Sequence, residues 1–157
     1  FLDPSLAHRP DTRERGVRVE VRPLRTIRDG SIYSSPTTTL APAVCRIDLL
    51  ESKPGAADRM HWHPVMVHGE PGGRTFDSAI PADPLEWIAA RLSSVDALLD
   101  AAGYDGPRAA SDPPAVAADA GEIVRAVRQG LEWSRQPWPD VDHDERGMAT
   151  AAGETVD

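Results

Sequence analysis

The change from strands to helices falls at residues 83–99, which read DPLEWIAARLSSVDALL. Asp83 followed by Pro84 predicts a helix start, because Asp caps the first turn and Pro is tolerated at the first helical position. Apolar residues then recur three or four positions apart, which predicts one buried helical face. They are Leu85, Ile88, Leu92, Val95 and Leu99. We therefore predict an amphipathic helix over residues 84–102.

A second helical pattern follows at residues 113–136, after another Asp-Pro pair. Its apolar positions are again three or four residues apart, which predicts a second amphipathic helix. Gly130 weakens the pattern, because an interior Gly costs about 1 kcal/mol relative to Ala. Pro137 ends it, since proline cannot continue a helix.

The residues before the helices show the two-residue alternation of half-buried strands. The predicted strands lie at residues 17–21, 43–51, 59–68 and, for a short fourth strand, 74–80. Strands first and helices second predict an α+β fold. We expect an antiparallel sheet of three to four strands within residues 16–80, with both helices packed on one face.

The second of these strands has two readable faces. Cys45, Ile47 and Leu49 share one face, which we expect to point inward to the core. Arg46 and Asp48 share the other face, which we expect to point outward. Strand parity therefore predicts that the charged side chains of this strand lie away from the helices.

Length and composition indicate one domain. The chain has 157 residues, which suits a single hydrophobic core. We assign the domain to residues 16–139, with a loop predicted at 29–42. Residues 1–15 are expected to form a flexible arm, and residues 140–157 an acidic, mobile tail.

The charge of the chain argues against two classes of partner. The formal net charge is −8, and six acidic residues lie in the predicted tail. Such a surface repels nucleic acid and anionic membranes, and no apolar run approaches the roughly 18 residues of a membrane span. Cys45 is the single cysteine, which excludes an intrachain disulfide and favours a reducing, cytoplasmic location.

The chemistry is concentrated at residues 59–70, which read RMHWHPVMVHGE. Three of the five histidines of the chain lie in this segment. His61 and His63 are two apart on a predicted strand and project to the same face, so their imidazoles can bind one metal ion. A bend after His63 would bring His68 and Glu70 toward the pair, whereas an unbent strand would place them on the opposite face.

We predict a metal site formed by His61, His63, His68 and Glu70, with Asp77 able to replace one of them. This mixed nitrogen and oxygen ligand set suits Zn, Fe, Mn, Ni or Cu as the divalent ion. A metal with an open coordination position can polarise a substrate oxygen or activate a bound water. His68 and Glu70 are therefore also the candidate catalytic groups.

An apolar wall for a substrate pocket is predicted beside this site. Met60, Trp62 and Met66 share a face of the strand and are the candidate lining residues. The expected substrate is a small polar molecule. The expected reaction is hydrolysis, elimination or isomerisation, or oxidation if the metal is Fe.

Three other interpretations fit the same residues. The histidines of the strand can be ordinary residues on its solvent-exposed face. A metal-free site can use one histidine as a general base, oriented by Glu70 or Asp77. The chain can also be a non-catalytic interaction protein, binding a partner through Trp133, Trp138 and the acidic tail. The apolar residues of the first predicted helix have heptad-like spacing, which can pair this helix with its copy in a dimer.

Gly55, followed after five residues by His61-Trp62-His63, resembles the opening of the first metal motif of the cupin family. The resemblance implies that both histidines bind a metal. The family places its glutamate three or four residues after the second histidine, whereas six residues separate His63 from Glu70. The helical pattern of the C-terminal half carries no second motif, and the barrel of the family needs more strands than are predicted here.

Overall fold

The computed structural model describes residues 15–27, 30–31, 33–35, 37–108, 112–137, 142–143 and 149–150. Its strands are β1 (Arg15–Val21), β2 (Leu24–Ile27), β3 (Thr37–Leu40), β4 (Cys45–Glu51), β5 (His61–His63), β6 (Met66–Val67), β7 (Glu70–Pro71), β8 (Asp142–His143) and β9 (Ala149–Thr150). Its helices are α1 (Ala79–Ala82), α2 (Pro84–Leu92), α3 (Val95–Ala101) and α4 (Asp112–Ser134). The antiparallel strand pairs and the helices that follow β7 confirm the predicted α+β fold. The predicted arm lies outside the described residues apart from Arg15, as does most of the predicted tail.

The main sheet has three antiparallel strands in the order β1-β4-β5. Its register pairs Val19 with Ile47 and Ile47 with Trp62, so that apolar side chains from all three strands share one face. Helix α4 packs against β1, and α2 packs against α4. The face predicted to point inward is therefore the face that forms the core, where Cys45 and Leu49 are fully buried.

Helix α2 begins where the sequence predicts. Asp83 caps it, since its Oδ1 accepts a hydrogen bond from the backbone N–H of Glu86 at 3.0 Å. Pro84 occupies the first helical position. None of the helices in the described part of the chain combines the length and the apolar character that a membrane span needs.

The first predicted helix is interrupted at Ser93 and Ser94, where α2 ends and α3 begins. Ser93 Oγ donates to the carbonyl of Ala89 at 2.8 Å, and Ser94 leaves the helical region with a φ of −133°. Serine side chains compete in this way with the hydrogen bonds of a helix. The interruption shifts the buried face, so that Leu98 is buried whereas the predicted Leu99 is only half-buried.

Helix α4 lies unusually close to the sheet at Gly130. A Cβ at this position would be 2.7 Å from Cγ2 of Val17 on β1. The glycine that weakens the helical pattern therefore allows the close approach of helix and strand. The helix extends over Asp112–Ser134, which agrees with the prediction within two residues at its C-terminal end.

An ion pair between the buried Glu51 and the exposed Arg135 joins the end of α4 to β4. Arg135 donates to both carboxylate oxygens of Glu51, at 2.6 and 3.1 Å. Burial alone would raise the pKa of Glu51, but the hydrogen bonds from Arg135 and from the Gly55 backbone N–H outweigh it. The net pKa of Glu51 therefore lies below its usual value.

Three further predicted segments differ in the structure. The strand predicted at residues 59–68 is divided at Pro64 into β5 and β6, since proline has no backbone N–H for strand pairing. The predicted loop at residues 29–42 contains β3, which pairs with β2 as an antiparallel hairpin. The fourth strand predicted at residues 74–80 is reduced to a single bridge between Thr75 and Trp62, and α1 follows. A turn replaces the strand because Asp77 Oδ1 accepts a hydrogen bond from the backbone N–H two residues later.

Candidate metal centre

The face of the main sheet opposite the helices carries a polar cluster, which we name the Asp48 cluster. The register pairs Asp48 with His61, Arg46 with His63, and Arg18 with Asp48. Directly paired residues of antiparallel strands project to the same face. Strand pairing therefore assembles a carboxylate, two imidazoles and two guanidiniums on one surface, and these five residues are the Asp48 cluster.

Three possible metal-ligand atoms converge in this cluster. The Nε2 atoms of His61 and His63 are 3.2 Å apart, and each lies 3.5 Å from Oδ2 of Asp48. All three residues are buried, with exposed fractions of 1% for Asp48, 3% for His61 and 4% for His63. The point equidistant from the three atoms in their plane lies about 2.0 Å from each, which matches the length of zinc bonds to nitrogen and oxygen. This buried group could hold a metal ion.

Backbone carbonyls fix the orientation of both imidazoles. Nδ1 of His61 lies 2.8 Å from the carbonyl of Arg59, and Nδ1 of His63 lies 2.8 Å from the carbonyl of Gly72. A carbonyl can only accept a hydrogen bond, so each Nδ1 carries a proton. In a neutral ring of this tautomer, Nε2 carries the lone pair, and both Nε2 atoms lie 3.5 Å from Oδ2 of Asp48. Proteins orient metal-binding histidines in this way.

Burial also favours the neutral form of His61. Desolvation lowers the pKa of this ring, while the carbonyl of Arg59 and the charge of Asp48 act in the opposite direction. The net pKa lies below the usual value of a histidine. A neutral imidazole is the form that binds metals.

Two guanidiniums bind the carboxylate of Asp48. Arg18 Nε donates to Oδ1 at 3.0 Å, and Arg46 Nη2 donates to Oδ2 at 2.7 Å. Arg46 Nη2 also lies 3.4 Å from Nε2 of His63. In contrast, Nε of Arg46 is buried and has no hydrogen-bond partner among the described residues. Arg46 therefore has one donor that contacts two of the three ligand atoms and one buried donor that is unsatisfied.

The structure does not bring His68 and Glu70 to this group. His68 and Gly69 form the two-residue turn between β6 and β7, and both have positive φ, at 53° and 85°. His68 and Glu70 are exposed. Asp77 is also elsewhere, since its Oδ2 accepts a hydrogen bond from Nε1 of Trp87 at 2.8 Å. Among the described residues, the metal-capable group contains Asp48, His61 and His63.

The predicted substrate wall lies mainly in the core. Met60 and Trp62 are buried there, and Trp62 contacts Trp87 edge to face at 5.6 Å between ring centroids. Met66 is half-buried in β6. On the imidazole side, the aromatic neighbour is Phe76, whose ring centroid lies 5.6 Å from that of His61.

Asp48 is the member of the site that the sequence analysis missed. Parity places it correctly on the face away from the helices, but that face is covered and Asp48 is buried. Residues that follow β5 provide cover, since Gly72 binds the ring of His63 and Phe76 contacts that of His61. The available signal was an acidic residue flanked by Ile47 and Leu49 in an apolar strand.

A cavity of about 510 Å³ lies in another part of the molecule, at the end of β1. Its lining is mostly apolar and includes Val21, Pro23, Val95, Leu99, Tyr104 and Val116. It contains no member of the Asp48 cluster. The candidate metal centre is therefore a buried polar cluster and not part of this cavity.

Two histidines and one carboxylate form a ligand set found in both zinc enzymes and non-haem iron enzymes. The sheet that carries them has three strands, fewer than the barrel implied by the resemblance to cupins. Comparison with known proteins finds no matching family model, no matching curated protein and no matching solved structure.

Proposed function

We propose that this chain binds one divalent transition metal ion through Asp48, His61 and His63. The observation that carries the proposal is the convergence of three buried ligand atoms at distances that suit one ion. Two neutral rings that carry their protons on Nδ1 would repel each other at their Nε2 atoms, 3.2 Å apart, because neither Nε2 could donate a hydrogen bond to the other. A cation between them and the carboxylate would remove this repulsion.

The ligand set also supports a metal-dependent activity. Three protein ligands leave at least one coordination position open, which is typical of catalytic sites and not of closed structural sites. Zn, Fe, Mn, Ni and Cu all accept two imidazoles and a carboxylate. We propose Lewis-acid activation of a small polar substrate at this open position.

Metal binding requires a small movement of Arg46. Its Nη2 bonds the same Asp48 oxygen that would bind the ion, so the guanidinium and the ion compete for that oxygen. The bond from Arg18 uses the other oxygen, Oδ1, and can persist. Arg18 would then hold the carboxylate in position after the ion binds.

The metal content of the purified protein tests this proposal. The protein is produced without a histidine tag and measured by inductively coupled plasma mass spectrometry, alongside a His61→Ala/His63→Ala double variant. A His68→Ala variant is the matched control, because it removes an exposed imidazole that lies outside the group. We expect about one metal ion per chain in the parent and in the control, and loss of the ion in the double variant.

Two results would contradict the proposal. One is a parent protein that stays empty after incubation with Zn, and with Fe under reducing conditions. The other is equal metal content in the parent and in the double variant, which would place the ion elsewhere. Circular dichroism must show that the double variant is folded before its metal content is interpreted.

A second candidate function is protein binding, for which the exposure of Trp133 is the specific observation. This residue on α4 is 62% exposed, although tryptophan is usually buried or placed at an interface. Trp138 and most of the acidic end of the chain lie outside the described residues. If Trp133 mediates a homodimer, light scattering should show a dimer that dissociates on Trp133→Ser. A monomeric parent at high concentration would contradict this.

A further inference from the structure

We infer that the ligand in the open position of this metal centre is a small carboxylate, held by the guanidinium of Arg46. The inference rests on the proposed metal function and adds the chemical class of the substrate. Three observations carry it: an unsatisfied buried donor on Arg46, an excess of positive charge in the Asp48 cluster, and the position of the arginines toward solvent.

The unsatisfied donor indicates the shape of the ligand. Nε and Nη2 of an arginine lie on the same edge of the guanidinium and form a planar fork that fits a carboxylate. Arg135 uses both atoms of this edge on Glu51, and Arg22 uses both on Glu20. Arg46 uses Nη2 only, and its Nε is buried without a partner. An incoming carboxylate would complete the fork in the manner of Glu51, which offers one oxygen to each donor of Arg135, whereas Arg22 places both donors on Oε2 of Glu20.

The charge of the cluster favours an anion over a neutral molecule. Arg18 and Arg46 both contact Asp48, so these three groups carry a net charge of +1. Glu20 pairs with Arg46 in the sheet register, but its carboxylate is bound by Arg22 at 2.6 and 2.8 Å. A divalent ion would raise the net charge of the three groups to +3. Uncompensated charge in a largely buried site is unfavourable, and a carboxylate ligand reduces it.

The arginines are also the members of the cluster nearest to solvent. The side chains of Arg18 and Arg46 are 26% and 13% exposed, against 2% for Asp48. A ligand that approaches the ion from solvent therefore passes the guanidiniums first. One carboxylate oxygen would enter the open coordination position, and the displaced fork of Arg46 would bind the carboxylate from outside. A neutral amide or alcohol would leave the positive charge uncompensated.

The test uses the full chain loaded with Co(II), whose visible absorption spectrum reports its ligands. Sodium acetate is the probe, and acetamide, similar in shape but neutral, is the control ligand. We expect acetate to change the spectrum in a saturable way and acetamide to leave it unchanged. Arg46→Met should weaken acetate binding about tenfold or more, since it removes a charge-assisted hydrogen bond. It should retain Co(II), because Arg46 competes with the ion for Asp48.

Two further variants separate charge from geometry. Arg46→Lys keeps the charge but loses the fork, so acetate affinity should lie between those of the parent and Arg46→Met. Arg125→Met removes an equal charge on the exposed surface of α4, where Arg125 pairs with Glu122, and should bind acetate as the parent does. If Arg46→Met does not fold, the comparison of parent, Arg46→Lys and Arg125→Met still decides the question.

The outcomes distinguish this inference from the function on which it rests. Failure of the parent to bind Co(II) overturns both. A Co(II) spectrum that does not respond to acetate, or that responds equally in the parent and the Arg46 variants, overturns only the inference. A response to inorganic phosphate but not to acetate would show that the ligand class is wrong.

Discussion

Replacing Asp48 by asparagine tests whether the buried cluster is an ionic unit. The substitution keeps the shape of the side chain and removes the negative charge that two arginines share. It also replaces the carboxylate ligand of the candidate metal centre by a neutral amide, which is a weaker metal ligand. The variant should therefore lose stability without metal and lose the stabilisation that metal provides.

The size of the first effect follows from the burial of the partners. Removing one member of a buried ion pair destabilises a protein by about 3–5 kcal/mol, because the remaining charge is left uncompensated. The side chains of Arg18 and Arg46 are 26% and 13% exposed, so water can partly solvate the guanidiniums after the change. We therefore expect a loss at the lower end, about 3 kcal/mol. This is a large fraction of the roughly 5–15 kcal/mol that stabilise a typical domain.

Urea unfolding in the presence of EDTA measures this loss. Tryptophan fluorescence is a suitable signal, since Trp62 and Trp87 are buried in the core. Asp100→Asn is the matched control, because it removes an exposed carboxylate that pairs with Arg108. The control should change the free energy of unfolding by about 0.5 kcal/mol or less.

The same titration in excess Zn measures the second effect. A ligand at 100 times its dissociation constant stabilises the folded state by about 2.7 kcal/mol. The parent should gain stability of this order, and Asp48→Asn should gain much less. If the free energy of unfolding of Asp48→Asn in EDTA lies within 1 kcal/mol of that of the parent, the cluster is not an ionic unit that stabilises the fold. Equal stabilisation of both proteins by Zn would refute the assignment of Asp48 as a ligand.

Three further predictions concern the fold. Glu51→Gln should lower stability near neutral pH by breaking the pair with Arg135. Because the folded pKa of Glu51 is lowered, its contribution to stability is complete above the usual glutamate pKa of about 4.3 and is lost as pH falls through the folded pKa. Urea unfolding at a series of pH values should show that the difference in stability between the parent and Glu51→Gln becomes smaller in acid. A difference that stays constant with pH would contradict this. Gly16→Ala should destabilise strongly, since a Cβ there would overlap the carbonyl oxygen of Leu49, and a melting temperature equal to that of the parent would contradict it. Burial raises the pKa of Cys45 to about 11, so its thiol should react with a disulfide reagent at pH 8 only after unfolding.

Local patterns predicted most of the fold. The alternation of apolar residues identified the strands of the main sheet, and the Asp83-Pro84 pair located the start of α2. The interruption at Ser93 and Ser94 was not predicted, because the apolar spacing continues through it and serine tolerates both conformations. The β2–β3 hairpin was missed because β3 is a run of three threonines and a leucine, all exposed, without apolar alternation.

The candidate site was predicted only in part, since the position of Asp48 beside the two histidines depends on contacts between residues that are distant in the sequence. Parity along a single strand correctly placed His61 and His63 on one face. The third ligand atom comes from Asp48 on another strand, and only the pairing register brings it opposite His61. The sequence analysis instead chose His68 and Glu70 from the same segment. Their turn conformation, with positive φ at His68, depends on backbone geometry that the histidine spacing does not reveal.

The residue between the two imidazoles gives the site an expected kinetic property. Trp62 lies between the two histidines in the sequence of β5, but its side chain points to the opposite face, into the core, where it packs against Trp87. Its backbone forms hydrogen bonds with that of Thr75. Neither imidazole can swing away from Asp48 by a backbone movement unless the indole also leaves its packed position. An ion held there should therefore have a long residence time, and its release should follow the rate of local opening at β5. Amide hydrogen exchange of Trp62 would report that rate directly.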